Sequence, residues 1–74
     1  MDGSRPLDLL NAARDKRVLV ELKNGRQFVG TLIAFDMHIN TVLEDAEELA
    51  EGMTKRKLGK VFLRGDTIIF ISPA

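Results

Sequence analysis

The sequence predicts a mainly β domain: an N-terminal α-helix followed by a strongly bent, five-stranded antiparallel sheet curled into a small barrel. Three observations carry this expectation. The apolar pattern changes after residue 16 from helical spacing to the alternation of a half-buried strand, a glycine interrupts a second strand pattern where a sheet would bend, and the link Arg64-Gly65-Asp66 between the last two patterns is too short for a parallel crossover. At 74 residues the chain is expected to form one domain, residues 1–74, with no room for a second.

The helix is expected over about residues 4–14. Ser4 offers a capping hydroxyl, Pro6 lies in the first turn, and Asp8 complements the positive end of the helix dipole. Leu7, Leu10 and Ala13 recur at helical spacing, and so short a helix needs a surface to lie on, so it is read as a cap on the core. From Lys16 the period changes: Val18, Val20 and Leu22 take one face while Glu21 and Lys23 take the other. Asn24-Gly25 is a strong hairpin signal in which both turn residues adopt positive φ. The second strand, Arg26 to Phe35, is apolar on both faces and carries Gly30 at a predicted bend. Asp36-Met37-His38 interrupts the pattern before a third strand from Ile39 to Ala46. Glu48 to Lys57, with Gly52 inside it, reads as a loop. Leu58 to Leu63 and Thr67 to Ile71 read as two further strands joined as a hairpin by Arg64-Gly65-Asp66.

Composition narrows the function classes. Hydrophobic content of 45% with 30% charged residues is that of a folded domain. There is no Cys and His38 is the single His, so neither a disulfide framework nor a Cys/His metal site is expected, and no cofactor is implied. No apolar stretch approaches bilayer length and residues 1–5 do not resemble a signal peptide, so no membrane association and a cytoplasmic location are expected. Eleven basic and eleven acidic residues give zero net charge, which argues against coating nucleic acid by bulk electrostatics. The charge is nevertheless segregated, with Glu44, Asp45, Glu47, Glu48 and Glu51 preceding Lys55, Arg56, Lys57, Lys60 and Arg64. Two solvated faces would account for it.

No nucleophile, base and orienting group stand in a pattern that could meet, apart from His38 with Asp36 and Asp66 nearby, so the chain is read as a non-enzyme with no catalytic residues. Polar clusters instead mark the strand ends: Asp36 to Asn40, Arg64-Gly65-Asp66, and Asn24-Gly25. If the first two belong to neighbouring strands, His38, Asn40, Arg64 and Asp66 converge. That set suits an unpaired base, since imidazole and guanidinium are flat stacking surfaces and an amide offers both a donor and an acceptor. Simple turn chemistry would explain the same residues.

Val29-Gly30-Thr31-Leu32, Phe35 to Asn40 and Val42 to Glu48 resemble the first motif of the Sm and Sm-like (Lsm) proteins, about residues 16–48, and Leu58 to Val61 with Leu63 to Ile68 resemble the second, about 58–71. Ile39 and Thr41 stand where Met and Leu are common, and Asp66 where eukaryotic members often have Asn. With its last residue at Ala74, the chain is most similar to the archaeal members. The resemblance implies a ring of identical subunits, seven or alternatively six, that binds single-stranded uridine-rich RNA and acts in RNA processing or as an RNA chaperone. It implies that His38 and Arg64 sandwich the base, that Asn40 bonds its edge, that the turn at Gly65 and Asp66 offers backbone N–H groups, and that Asp36 supports the loop. The competing reading is a protein-interaction or structural ring module with little RNA specificity. A ring also follows from the residues: Thr67 to Ile71 is an apolar terminal strand without edge protection, and Leu58 to Leu63 of the next copy is its expected partner.

Overall fold

The computed structural model describes residues 5–74. Helix α1 (Pro6–Ala12) precedes strands β1 (Arg17–Leu22), β2 (Gln27–Phe35), β3 (Thr41–Ala50), β4 (Met53–Leu63) and β5 (Ile68–Pro73), with a 3-10 turn at Gly65–Thr67 before the last strand. All pairings are antiparallel, in the order β4-β3-β2-β1-β5. The sequence therefore anticipated a helix and five antiparallel strands correctly.

The helix is shorter than expected. Pro6 opens it and Asp8 lies in its first turn, but the capping position is Arg5, whose side chain makes no cap and instead approaches Asp8 at 3.3 Å. The expected Ser4 cap lies outside the described residues. Leu10 and Ala13 pack on the core, whereas Leu7 remains largely exposed, so only part of the apolar stripe is used.

The alternating valines account for the core. Val18, Val20 and Leu22 point inward with Phe28, Leu32, Leu43, Ala46 and Leu63, each with at most 8% of its surface exposed. The bend that lets one sheet enclose these side chains is built across three strands. At Gly30 β2 passes close to β3: a Cβ there would stand 2.9 Å from Leu43 Cβ and 3.2 Å from the Ala46 backbone. Opposite it, β3 carries one extra residue between Leu43 and Ala46, and Asp45 takes a φ of 50°. The next strand bends at Gly59, with φ 76°.

Three local expectations are corrected. The Asn24-Gly25 turn does not place both residues at positive φ; Gly25 alone does, at 88°, because Leu22 O accepts from Gly25 N–H and the extra residue is absorbed as a bulge, closed by Leu22 N–H donating to Arg26 O at 2.9 Å. The segment from Glu48 to Lys57 is not a loop. Strands β3 and β4 continue through it to a two-residue turn, Glu51-Gly52, with φ of 53° and 80°, and the acidic run faces the basic run across the ladder as Glu47 opposite Lys57 and Glu48 opposite Arg56. The segregated charges thus meet across the ladder at these two positions, with Glu48 and Arg56 in an ion pair, while Glu44, Asp45, Glu51, Lys55 and Lys60 remain exposed. Finally, β4 and β5 do not form a hairpin, because the 3-10 turn carries the chain over the curled sheet to pair β5 with β1, leaving β4 and β5 as the two edges.

Candidate nucleic-acid interface

The loop between β2 and β3 is held by one carboxylate. Asp36 Oδ1 accepts from the backbone N–H of His38 at 2.9 Å and of Asn40 at 3.1 Å, while Asp36 Oδ2 accepts from Asn40 Nδ2 at 3.1 Å. Backbone bonds from Asp36 N–H to Asn40 O and from Ile39 N–H to Asp36 O close the loop, with Ile39 at a φ of 62°. Loop chemistry of this kind holds the carboxyl of Asp36 below its ordinary range, chiefly through the Asn40 side-chain donor, with burial opposing and the two backbone donors adding to it.

The turn after β4 supplies the other wall. Gly65 N–H donates to Asn40 Oδ1 at 2.8 Å, tying two segments 25 residues apart. A side chain at Gly65 would collide with the His38 carbonyl oxygen and lie 2.8 Å from the Ile39 carbonyl carbon, which is why glycine occupies this position. Thr67 caps its own turn through Arg64 O at 2.6 Å, and Lys23 N–H anchors the turn to the β1–β2 connection through Thr67 O at 2.7 Å. Arg64 and Asp66 are exposed and paired at 3.1 Å.

The result is an open cleft of about 360 Å³ lined by His38, Asn40, Arg64, Gly65 and Asp66. The sequence-derived candidates therefore share one site, with Asp36 behind it. One detail differs from expectation: the Gly65 N–H is consumed by Asn40 and is not free for a ligand. A larger hollow of about 620 Å³ lies between α1 and the β5 edge, lined mainly by apolar residues including Leu10, Ala13, Val18, Ile71 and Pro73, with Lys16, Arg17 and Ser72 also on its wall.

The amide of Asn40 is oriented by its neighbours. A carboxylate can only accept and a backbone N–H can only donate, so Nδ2 must face Asp36 and Oδ1 must face Gly65. One N–H of Nδ2 and one lone pair of Oδ1 remain, a donor beside an acceptor in a fixed order. Uracil presents the complementary pair at O4 and N3–H, and cytosine presents the reverse.

A second charged cluster supports the structure and was not anticipated as such. Glu48 is 2% exposed on β3, accepts from Arg26 Nε at 2.9 Å and Nη2 at 3.1 Å, and meets Arg56 Nε at 3.1 Å. The Arg26 hydrogen bonds hold the Glu48 carboxyl low against the opposing effect of burial, with further help from the charges of Arg26, Arg56 and Lys55. The signal in the sequence was the acidic run itself, but its strand partners lie in two different segments.

Comparison with known proteins agrees with this geometry. The family model of the LSM domain matches residues 8–73. A protein of Archaeoglobus fulgidus named as snRNP Sm-like is 54% identical over 70 residues, covering 95% of this chain and 91% of its own, and one from Methanococcoides burtonii is 49% identical over 71 residues, covering 96% and 99%. The Sm protein of Pyrococcus abyssi, solved in complex with a uridine heptamer, superposes with a TM-score of 0.91 at 46% identity over 96% of this chain and all of its own. The heptamer from P. aerophilum superposes at 0.88 with 39% identity, over 93% and 92%. With the family model and these relatives matching over nearly the whole chain and the helix and bent sheet matching their fold, the protein belongs to the LSM domain family.

Proposed function

We propose that the chain assembles into a closed ring of identical subunits, seven in number, and binds single-stranded uridine-rich RNA with one base per cleft. The observation that carries this is the Asn40 amide, locked between Asp36 and the Gly65 N–H so that it offers a donor and an acceptor in the order uracil requires, in a cleft that His38 and Arg64 also line. Two unpaired edges, β4 and β5, with Phe62, Ile69 and Phe70 exposed on them, support head-to-tail closure. The relatives support it too, one being solved with a uridine heptamer and others as heptamers.

In this reading the protein is a binding protein of the cytoplasm, without catalytic residues or a cofactor, that acts in RNA processing or as an RNA chaperone. A ring presents several clefts to one strand, so affinity grows with RNA length through effective concentration rather than new contacts. Titration of fluorescent oligouridines from two to seven nucleotides, alongside native mass spectrometry, tests both parts. Length-independent affinity would refute the multivalent ring, and a spectrum holding only the 8.3 kDa monomer at micromolar concentration would refute assembly.

A further inference from the structure

Asn24 stands at the exposed tip of the β1–β2 connection and is followed by glycine, whereas Asn11 precedes Ala12 in α1 and the Asn40 amide, ahead of Thr41, is tied on both sides. The side-chain carbonyl oxygen of Asn24 accepts from the Arg26 backbone N–H at 3.0 Å. Gly25 has no side chain to hinder approach to its nitrogen, and a Cβ built there would meet nothing within 4 Å. A carbonyl carbon therefore lies beside an unhindered backbone nitrogen, with a donor already on the oxygen where negative charge would develop during attack.

We propose that Asn24 is a site of spontaneous deamidation and that its isoaspartyl product loosens the turn after β4 from a distance. In the first step Gly25 N gives its proton to solvent base and bonds to Asn24 Cγ; the bond from Cγ to the amide nitrogen breaks, and that nitrogen leaves as ammonia. Water then opens the five-membered imide at one of its two carbonyls, giving aspartate or isoaspartate. One contact sets the pace. Gly25 N–H donates to Leu22 O at 2.8 Å, and Leu22 N–H to Arg26 O at 2.9 Å, so the nitrogen is free to react only while the tip of the hairpin is open.

The two products differ in reach. Aspartate adds a negative charge to a chain whose net charge is zero and leaves the main chain unaltered. Isoaspartate adds the same charge and also a methylene to the main chain between Lys23 and Gly25. Lys23 N–H donates to Thr67 O at 2.7 Å, the bond that anchors the turn after β4 to this connection, so lengthening the chain beside it strains that anchor.

The test ages the full chain at mildly alkaline pH and follows each asparagine by peptide mapping, with the aspartyl and isoaspartyl products resolved. Asn24 should convert ahead of Asn11 and Asn40, and faster in denaturant, where Gly25 N–H has lost its partner. A folded protein in which Asn24 stays intact while the other asparagines convert would overturn the site. The effect on RNA rests on the base-binding reading above, so the anchor is read separately by hydrogen exchange at the Lys23 amide, which should lose protection in the isoaspartyl fraction and keep it in Asn24→Asp. Oligouridine affinity of the isoaspartyl fraction should fall by roughly two- to tenfold, the worth of one backbone hydrogen bond. Asn24→Ser, which cannot form the imide, should keep its affinity through the same ageing. Unchanged Lys23 protection in the isoaspartyl protein overturns the coupling and leaves the base-binding reading standing; lost protection in a protein whose parent binds no oligouridine supports the coupling and overturns that reading.

Discussion

Replacing Asn40 by Asp tests the site at its centre. The substitution keeps an oxygen that can accept from Gly65 N–H, now 2.8 Å from Asn40 Oδ1, but replaces the Nδ2 donor with a second oxygen about where Asp36 Oδ2 already sits 3.1 Å away. Two effects follow. The donor that would meet uracil O4 is lost, and leaving that carbonyl unpaired in a stacked pocket costs about 1–3 kcal/mol per site, or roughly 5- to 150-fold in affinity for a single cleft. The two facing carboxylates also repel, so one of them holds a proton more tightly than Asp36 does in the parent, where the Asn40 donor draws its pKa down. The sign is definite. In the variant, affinity should be poorest at neutral pH and recover partly as the pH falls towards the carboxylate range, when one proton shared with Asp36 relieves the repulsion without supplying a second donor for uracil O4, so the uridine preference should stay lost; the parent should show no such recovery. Binding of labelled oligouridine and oligocytidine is measured by fluorescence anisotropy across that pH range, on material verified to have the parent oligomeric mass. A variant that retains the parent preference for uridine at neutral pH would refute the assignment of base reading to Asn40.

His38→Ala should remove stacking worth roughly 1–3 kcal/mol per base and weaken oligouridine and oligocytidine alike, so an anisotropy ratio that shifts strongly towards one base would contradict a stacking role. Gly65→Ala forces a methyl group onto the His38 carbonyl oxygen and should separate the two loops of the cleft, abolishing oligouridine binding with loss of protection of the Gly65 amide in hydrogen exchange; unchanged binding would show that the close approach is not needed. The carboxyls of Glu48 and Asp36 lie below their ordinary values in the folded protein, so the stability they add is present above the unfolded-state carboxylate pKa and is lost as pH falls through the depressed values. Acid unfolding followed by circular dichroism should therefore be steepest below the ordinary carboxylate range, and Glu48→Gln should flatten that limb; an identical acid profile in the variant would exclude Glu48 as its source.

Local chemistry made much of this protein legible from its sequence. The valines at 18 and 20 with Leu22 declare a half-buried strand because side chains alternate faces by geometry alone, and they are buried as the pattern requires. Gly30 announced a bend, and its close approach to Leu43 and Ala46 is the reason no larger residue fits. The polar clusters at Asp36 to Asn40 and at Arg64 to Asp66 were visible as strand-end loops, and the structure does bring them to one cleft.

What escaped was whatever depended on a partner distant in the chain. Glu48 to Lys57 looked like a loop because a charge run carries no strand periodicity; only the ladder, by setting Glu47 against Lys57 and Glu48 against Arg56, turns it into paired strands. A short link between β4 and β5 suggested a hairpin, yet the curl of the sheet sets β5 beside β1, where Ile68 and Ile71 pack against the core. The orientation of the Asn40 amide is likewise tertiary. Its residue type could be read from the sequence, but which end of the amide faces the ligand is set by a carboxylate four residues back and a backbone N–H 25 residues ahead, because a side chain with a donor and an acceptor of nearly equal shape takes its direction from the groups around it.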